Sequence, residues 1–322
     1  MAIVAAGAVL LAAAAGGAGV AAAQNYPERQ NYPERVVQII VPTTAGSSAD
    51  ILGRVLADGL SARLGKPFIV IDRPGANGVI GTADVARAKA DGYTLMHGAT
   101  YSITVQPLTD KDAGYTAKSF TPICQTFKND QVLVVPPDSP LKTTRDIVEA
   151  ARRKPGALNV AIPGTATIPH LAMIALAHEA NVEFNDVPFR GPAEEIQAVR
   201  SSQVDFAAVP LTATAGSGLH MPGLFASERN PSLGDVPTLK EQGYDVAPLS
   251  FGGLLGPAGL PDEITRKLET ACTAIMKDDA AQRVVKNTLQ PAGYFADAKG
   301  FARNLAQDEA EKIRLVALLK PN

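Results

Sequence analysis

Two short loops rich in hydroxyl-bearing and small residues are the parts of this sequence best suited to bind an anion. The first covers residues 42–50 (PTTAGSSAD) and the second covers residues 163–170 (PGTATIPH). Each follows a short apolar run and precedes a stretch with helical periodicity. The start of a helix offers unpaired backbone N–H groups and a partial positive charge, and both favour a bound carboxylate. Since neither loop contains Lys or Arg, we expect backbone amides and hydroxyl groups to hold the anion.

Each loop also has an ordinary structural interpretation. Ser48 or Asp50 could simply cap the first helix, and His170 could pack at the start of the second. For the first loop, the chemistry of the residues supports the two interpretations equally. A hydrolase that uses Ser47 or Ser48 with His170 is a weaker alternative, because the sequence has no Gly-x-Ser-x-Gly motif and no orienting acid at a recognisable spacing.

No metal or cofactor is predicted. The sequence has four His and two Cys, with no pair of His at metal-ligand spacing. The glycine-rich segment at residues 73–78 (RPGANG) lacks the Gly-Lys-Ser/Thr ending of a phosphate-binding loop and the glycine spacing of a dinucleotide-binding one. We therefore interpret it as a structural turn.

The composition describes a globular protein with a sizeable core. Of 322 residues, 46% are hydrophobic and 19% are charged, and these proportions exclude a disordered or collagen-like chain. The 30 Lys and Arg residues are balanced by 32 Asp and Glu residues, which leaves a net charge of -2. Because there is no basic excess, we predict that nucleic acid is not a partner.

The N-terminal segment is typical of a secretory signal peptide. Residues 1–23 carry no charge and run from an apolar stretch into the small residues Ala21–Ala23. A membrane anchor would need about 20 strongly apolar residues, whereas Ala and Gly dominate here. The usual Lys or Arg before the apolar stretch is missing, so the true start of the protein stays open. We predict a signal peptide at 1–23 and a flexible leader at 24–35, which contains QNYPER twice.

The two cysteines, Cys124 and Cys272, are far apart in the sequence. Export would permit a disulfide between them, and two buried free thiols are an equally good interpretation. Their spacing does not decide between these states.

Around the first loop the sequence predicts alternating strands and helices. Apolar runs at Val36–Val41, Phe68–Ile71 and Tyr93–Met96 predict strands, with a helix from Asp50 after the first of them. This β-α-β-α-β order is the unit of a parallel sheet. The same succession of strand, loop and helix recurs at Asn159–Ala180. Because ligands bind beyond the carboxyl ends of the strands in such sheets, two units in two domains would place the two loops across a cleft.

Several motifs together resemble a known receptor family. They are Asp50-Ile51 after the first loop, RPG at 73–75, DGYTL at 91–95, GDVPTLKEQGY at 234–244 and FGGLLGPAGLP at 251–261. In combination they resemble the substrate-binding receptors of tripartite tricarboxylate transporters, the Bug-type periplasmic proteins. The likeness extends over Tyr32–Leu318.

The resemblance implies a two-domain α/β fold of the periplasmic-binding-protein type (Venus flytrap, type II-like), with a parallel or mixed sheet in each domain. We predict that domain 1 comprises residues 36–125 and 251–322, and that domain 2 comprises residues 126–250. The ligand cleft would lie between them, and the chain would cross from one domain to the other near 124–128 and 246–252.

The same resemblance implies a monomeric periplasmic receptor that is not an enzyme. It would bind a small organic carboxylate, either a di- or tricarboxylate or an aromatic acid, and deliver it to the membrane permease subunits of the transporter. The alternative is a ligand-sensing receptor that docks on the sensor kinase of a two-component system.

By position, the resemblance places ligand contacts in both loops. Arg190 lies where the family usually has the Lys of a Pro-Tyr-Lys-Gly run. Val209 and Pro210 replace an Asp and an Asn, so we expect a less polar far wall and no amino-acid ligand. The candidate ligand-binding residues are Thr44, Ala45, Gly46, Ser47, Asp50, Thr100, Tyr101, Ala166, Thr167, His170, Arg190 and Val209.

Overall fold

The structure of the protein, a computed structural model, describes residues 31–248, 250–291 and 293–319. The predicted signal peptide and the first QNYPER copy lie outside these residues. The strands and helices of the described residues belong to the unit that runs from Pro33 to Asn322. No helix in the described ranges combines the length and the apolar composition that a membrane span requires.

Strands and helices alternate along this part of the chain. The strands are β1 (Val37–Val41), β2 (Phe68–Asp72), β3 (Thr94–Ala99), β4 (Phe120–Lys128), β5 (Gln131–Val135), β6 (Asn159–Ile162), β7 (Asn185–Pro188), β8 (Phe206–Pro210), β9 (His220–Phe225) and β10 (Phe251–Pro257). The helices are α1 (Ser48–Leu64), α2 (Val79–Ala86), α3 (Tyr101–Thr104), α4 (Gln106–Thr109), α5 (Thr144–Arg153), α6 (Ile168–Ala180), α7 (Pro192–Arg200), α8 (Asp262–Ile275), α9 (Asp279–Asn287) and α10 (Ala298–Ala317).

The strands form two five-stranded mixed sheets. In the first, the order is β2-β1-β3-β10-β4, with β1 parallel to β2 and β3, and β10 antiparallel to β3 and β4. In the second, the order is β7-β6-β8-β5-β9, with β6 parallel to β7 and β8, and β5 antiparallel to β8 and β9. The predicted α/β class with a parallel or mixed sheet in each half is confirmed.

The first β-α-β unit forms as its apolar pattern predicts. Strand β1 buries Val37 and Ile39–Val41. Helix α1 begins after Ser47, whose hydroxyl accepts the Asp50 N–H, and it ends at Gly65, which has φ +73°. The helix therefore starts two residues before the predicted position, because the capping residue is Ser47 rather than Ser48 or Asp50.

Strand β10 was not predicted, because its sequence FGGLLGP is rich in glycine and glycine disfavours strands. The structure shows why the glycines are needed there. A Cβ atom at Gly252 would collide with the Gly98 carbonyl of β3, and one at Gly253 would collide with the Cys124 carbonyl of β4. The missing side chains therefore allow β10 to pair on both of its edges.

Two segments connect the sheets. Asn129 and Asp130 lead from β4 to β5, and residues 226–250 lead from β9 back to β10. The two connections are hydrogen-bonded to each other, since the Asn129 N–H donates to the Ser250 carbonyl at 2.6 Å. The domain boundaries and crossing points expected from the sequence stay predictions.

Helix α10 contacts elements of both sheets. It packs along β4 of the first sheet, while Leu315 in its last turn is fully buried in the core cluster of the second sheet. Between these contacts, the Lys312 ammonium lies 2.9 Å from Asp308 Oδ1, and both side chains are completely buried. Asp308 Oδ2 accepts a hydrogen bond of 2.8 Å from the Thr104 hydroxyl, which fixes the middle of α10 against α3.

Cys124 on β4 and Cys272 on α8 form a disulfide. Of the two states that the sequence left open, the structure has the bonded one. The bond joins residues separated by 148 positions. A crosslink across so long a loop restricts the unfolded chain strongly and stabilises the folded one by roughly 4–5 kcal/mol in the chain-entropy account.

Reduction should therefore destabilise the wild-type protein. We expect a loss of roughly 4 kcal/mol in the free energy of unfolding with reductant present, measured by denaturant titration. The control is the Cys124→Ala, Cys272→Ala double variant, whose stability should not respond to reductant. An equal response of the two proteins, or none in the wild type, would contradict the bond.

Candidate functional site

The first candidate loop lies between β1 and α1 and is closed by its own side chains. The Thr43 and Ser47 hydroxyl oxygens are 2.7 Å apart, and the Gly46 N–H donates to Asp50 Oδ2 at 2.8 Å. Thr44, Ala45 and Gly46 are exposed at the tip of the loop. The Gly46 amide, which we expected to hold an anion, is thus hydrogen-bonded inside the loop in this structure.

Asp50 is the charged group that organises this loop. The residue is 3% exposed, and its carboxylate lies 2.7 Å from Arg54 Nε, while Arg54 also contacts Asp72 at 2.8 Å. Burial works against the charged form, but the Gly46 N–H and the Arg54 guanidinium outweigh it and hold the pKa of Asp50 below its usual value. Burial and the neighbouring Asp50 charge raise the pKa of Asp72. Asp50 therefore positions the loop as a carboxylate.

A buried histidine lies behind the same loop, and no motif in the sequence indicates its role. His97 Nδ1 lies 2.8 Å from the Ala49 carbonyl and Nε2 lies 2.8 Å from the Thr126 hydroxyl. Since a carbonyl only accepts, Nδ1 carries the proton and Nε2 accepts from Thr126. Burial lowers the pKa of His97 to about 4, so the ring is neutral. It ties the start of α1 to β4.

The second candidate loop, between β6 and α6, repeats the internal hydrogen bond of the first. The Ala166 N–H donates to His170 Nδ1 at 3.0 Å, as Gly46 donates to Asp50 four residues later. Both donors have positive φ, +58° for Ala166 and +83° for Gly46. The Thr167 hydroxyl donates to the Gly164 carbonyl at 3.0 Å. Each loop is therefore held by a side chain from the first turn of its own helix.

His170 is buried and has both ring nitrogens engaged. Because Nδ1 accepts from Ala166, the ring proton is on Nε2, which donates to Asp186 Oδ2 at 3.2 Å. No ring nitrogen is left to take a proton from Ser47 or Ser48, and the hydrolase alternative loses its base.

Among the residues that the structure describes, no group of three or more His, Cys, Asp or Glu side chains could hold a metal ion.

A cavity of about 820 Å³ extends from the second loop along one face of α6. It brings the candidates Ala166 and His170 together with Asn77, which follows β2, and with Gln106 of α4. Thr44–Ser47 and Asp50 are not among the described residues that line it. The remaining described lining residues are Thr109, Asp110, Thr165, Met173, Ile174, Ala177, His178, Asn181, Val182, Glu183, Phe184, Asp186, Leu318 and Leu319.

Thr167 of the second loop is not a lining residue, and the other four candidates also lie outside this cavity. Thr100 is buried and donates to the Phe251 carbonyl at 3.1 Å, and Tyr101 accepts from Gln106 Nε2 while burial raises its pKa to about 12. Arg190 is exposed at the end of β7. Val209 is completely buried in the core cluster that packs beneath α7, so its side chain does not border a cleft and the expected far wall must come from other residues.

Glu195 is an unusual residue that sequence reasoning missed. It lies in the first turn of α7, on the helix face that also buries Ala198 and Val199. Its side chain is fully buried, and neither oxygen has a hydrogen-bond partner among the described residues. Burial raises the pKa of Glu195 to about 8, so the carboxyl is protonated near neutral pH. A charged residue type on the apolar face of a helix is the signal that could have revealed it.

Comparison with known proteins decides the family. The model of the tripartite tricarboxylate transporter family receptor (TctC) matches residues 52–319. The chain belongs to this family. A Cupriavidus necator relative, "UPF0065 protein in gbd 5'region", is 32% identical over 92% of this chain and 91% of its own length. The protein BugT of Bordetella pertussis is 27% identical over 88% of this chain and 90% of its own, and the Bug-type resemblance is confirmed.

Solved structures agree with this assignment. A TctC solute-binding protein from Polaromonas has a TM-score of 0.80 and 28% identity, and the match covers 89% of this chain and all of that one. A second neighbour in fold, the R. palustris protein solved with adipate, has a TM-score of 0.73 and 25% identity over 89% of this chain and 98% of its own. The two-sheet TctC fold described above is therefore shared with proteins of known structure.

Glu195 yields a prediction about pH. The folded pKa of about 8 lies above the ordinary value of 4.5, so the folded protein retains a proton that the unfolded chain loses. Its free energy of unfolding should fall as pH rises from about 4.5 to about 8. Glu195→Gln should be more stable than wild type by roughly 1–4 kcal/mol at pH 7.5 and similar at pH 4.5. Parallel pH profiles of the two proteins in denaturant titrations would contradict this account.

Proposed function

We propose that this protein is a periplasmic receptor that captures a small organic carboxylate and delivers it to the membrane permease subunits of a tripartite tricarboxylate transporter. The observation that carries the proposal is the receptor-family match over residues 52–319, a range that includes most of α1 and all of the second loop and cavity. A structural neighbour with the same fold was solved with the carboxylate adipate. The export implied by the N-terminal sequence is consistent with a periplasmic location.

The geometry of the two loops supports an anion as the ligand. Each loop precedes a helix start, α1 or α6, where backbone N–H groups favour negative charge. Thr44, Ala45 and Thr165 are exposed at the two tips, where a ligand can reach them. Neither loop contains a cationic residue, so we infer that the carboxylate is held by amides, hydroxyl groups and water when the two tips approach each other.

We further infer that the approach of the tips is a rotation of the two sheets about their connections. Domain 1 would comprise residues 36–125 and 251–322, domain 2 would comprise residues 126–250, and the protein would act as a monomer. Hinge closure of this kind around a ligand is a common transition. X-ray scattering with and without a saturating ligand would measure it, and an unchanged radius of gyration would contradict it.

A thermal-shift screen over organic acids tests the proposed function directly. An acid present at about 100 times its Kd should stabilise the folded protein by about 2.7 kcal/mol, which is measurable as a raised melting temperature. The panel should include mono-, di- and tricarboxylates and aromatic acids. If no acid raised the melting temperature, the proposed function would fail.

Gly46 provides a sharper test of the first loop. It has φ +83° with open space around its Cα, so Gly46→Ala adds a methyl group at the exposed tip where the ligand would lie. Gly65 is a matched control, because it has φ +73°, equally open surroundings and a position at the other end of α1. Both variants should lose about 1 kcal/mol of stability. Only Gly46→Ala should weaken binding, by roughly tenfold or more in calorimetric titration. Equal affinities of the two variants would remove Gly46 from the site.

A further inference from the structure

We propose that His97 is a positioning residue for carboxylate binding, and that it acts by fixing the start of α1 and with it the amides of the first loop. This inference rests on the proposed function and adds to it a residue that does not itself touch the carboxylate. It follows from the contacts of one buried imidazole with the loop, with a glycine of α1 and with β4.

His97 links the first loop to a strand two places away in the first sheet. β10 lies between β4 and β3, which carries His97. The imidazole nevertheless reaches from the Ala49 carbonyl to the Thr126 hydroxyl, with a distance of 2.8 Å at each end. Ala49 belongs to the first loop, and Thr126 lies three residues before Asn129, where the chain leaves the first sheet. The start of α1 is therefore fixed relative to the connection between the two sheets.

Gly53 leaves the space that the imidazole needs. It is buried inside α1, a position where glycine is less favourable than alanine for the helix itself. A Cβ atom there would lie only 3.2 Å from His97 Nδ1. The absent side chain therefore lets the ring reach the first turn of the helix.

Filling this space does not by itself require a polar ring. His97 and Thr126 are 0% and 1% exposed, and the Phe127 ring packs against the imidazole at 5.7 Å between centroids. A buried polar pair can be replaced by apolar groups of the same shape with little change in stability. What an apolar side chain cannot supply is a directional hydrogen bond to the Ala49 carbonyl. Because a loop that must be ordered on binding lowers affinity, a loop held by this bond binds its anion more tightly.

A double variant separates positioning from stability. His97→Leu combined with Thr126→Val removes both members of the pair, so neither is left as an unpaired polar group and the free energy of unfolding should stay close to that of the wild type. The Kd should nevertheless rise roughly 3- to 30-fold in calorimetric titration. The probe is the acid that raises the melting temperature of the wild type most in the screen described above, which includes hexanoate, adipate, citrate and benzoate.

The outcomes distinguish this proposal from the function on which it rests. If the wild type binds an acid and the double variant binds it with the same Kd, the positioning role of His97 is overturned and the receptor function stands. If the wild type binds no acid of the screen, both fail.

Single substitutions at Thr126 test the same role without changing the imidazole. Thr126→Val removes the hydroxyl that holds His97 Nε2 and should raise the Kd about threefold or more, whereas Thr126→Ser keeps the hydroxyl and should bind as the wild type does. Thr144→Val is the matched control, because Thr144 is fully buried beside the edge strand β9 and its hydroxyl accepts from Gln242 at 3.0 Å. Both valine variants should unfold at a lower denaturant concentration than the wild type. Equal Kd values for the two would show that the imidazole serves the fold alone, which overturns the proposal.

Discussion

The close approach of three backbones at β10 is the constraint on which much of the structure depends. β10 pairs with β3 on one edge and with β4 on the other, and Gly252 and Gly253 leave no room for a side chain on either. Backbone atoms of neighbouring strands cannot move aside without breaking the sheet. β3 carries His97, which holds the start of α1, and β4 carries the cysteine bonded to α8. The first candidate loop is therefore positioned through a strand made largely of glycine and leucine.

Local signals in the sequence were enough to predict the elements that flank the site. β1, β2 and β3 follow from apolar runs, and α1 follows from the helical periodicity that starts near Asp50. β10 could not be predicted, because its glycines are unfavourable locally and are needed only once β3 and β4 are in place. The disulfide likewise depends on the fold, since a separation of 148 residues says nothing about proximity.

The candidate site likewise has features that the sequence predicts and features that depend on the fold. The two loops could be found from their composition and their position before helices, because those are properties of the chain itself. Their internal hydrogen bonds could not, since Ala166 adopts a positive φ that alanine does not favour by itself. Val209 and Glu195 show a second limit. Whether a side chain faces a cleft or the core depends on the register of its strand or helix. Val209 and Glu195 both lie on the face that packs into the core.

The two attachments of α10 have a consequence for the affinity of the receptor. The helix packs along β4, yet its last turn is embedded beside α6 of the second sheet. If the sheets rotate against each other as proposed above, the rotation would shear this contact, because a stiff helix cannot follow both sheets at once. The free energy of that shear would then come from ligand binding, and the observed dissociation constant would be weaker than the intrinsic one by the population of the closed state. Under this proposal, substitutions at Leu315 would change the affinity from a position that lies in the core rather than in either candidate loop.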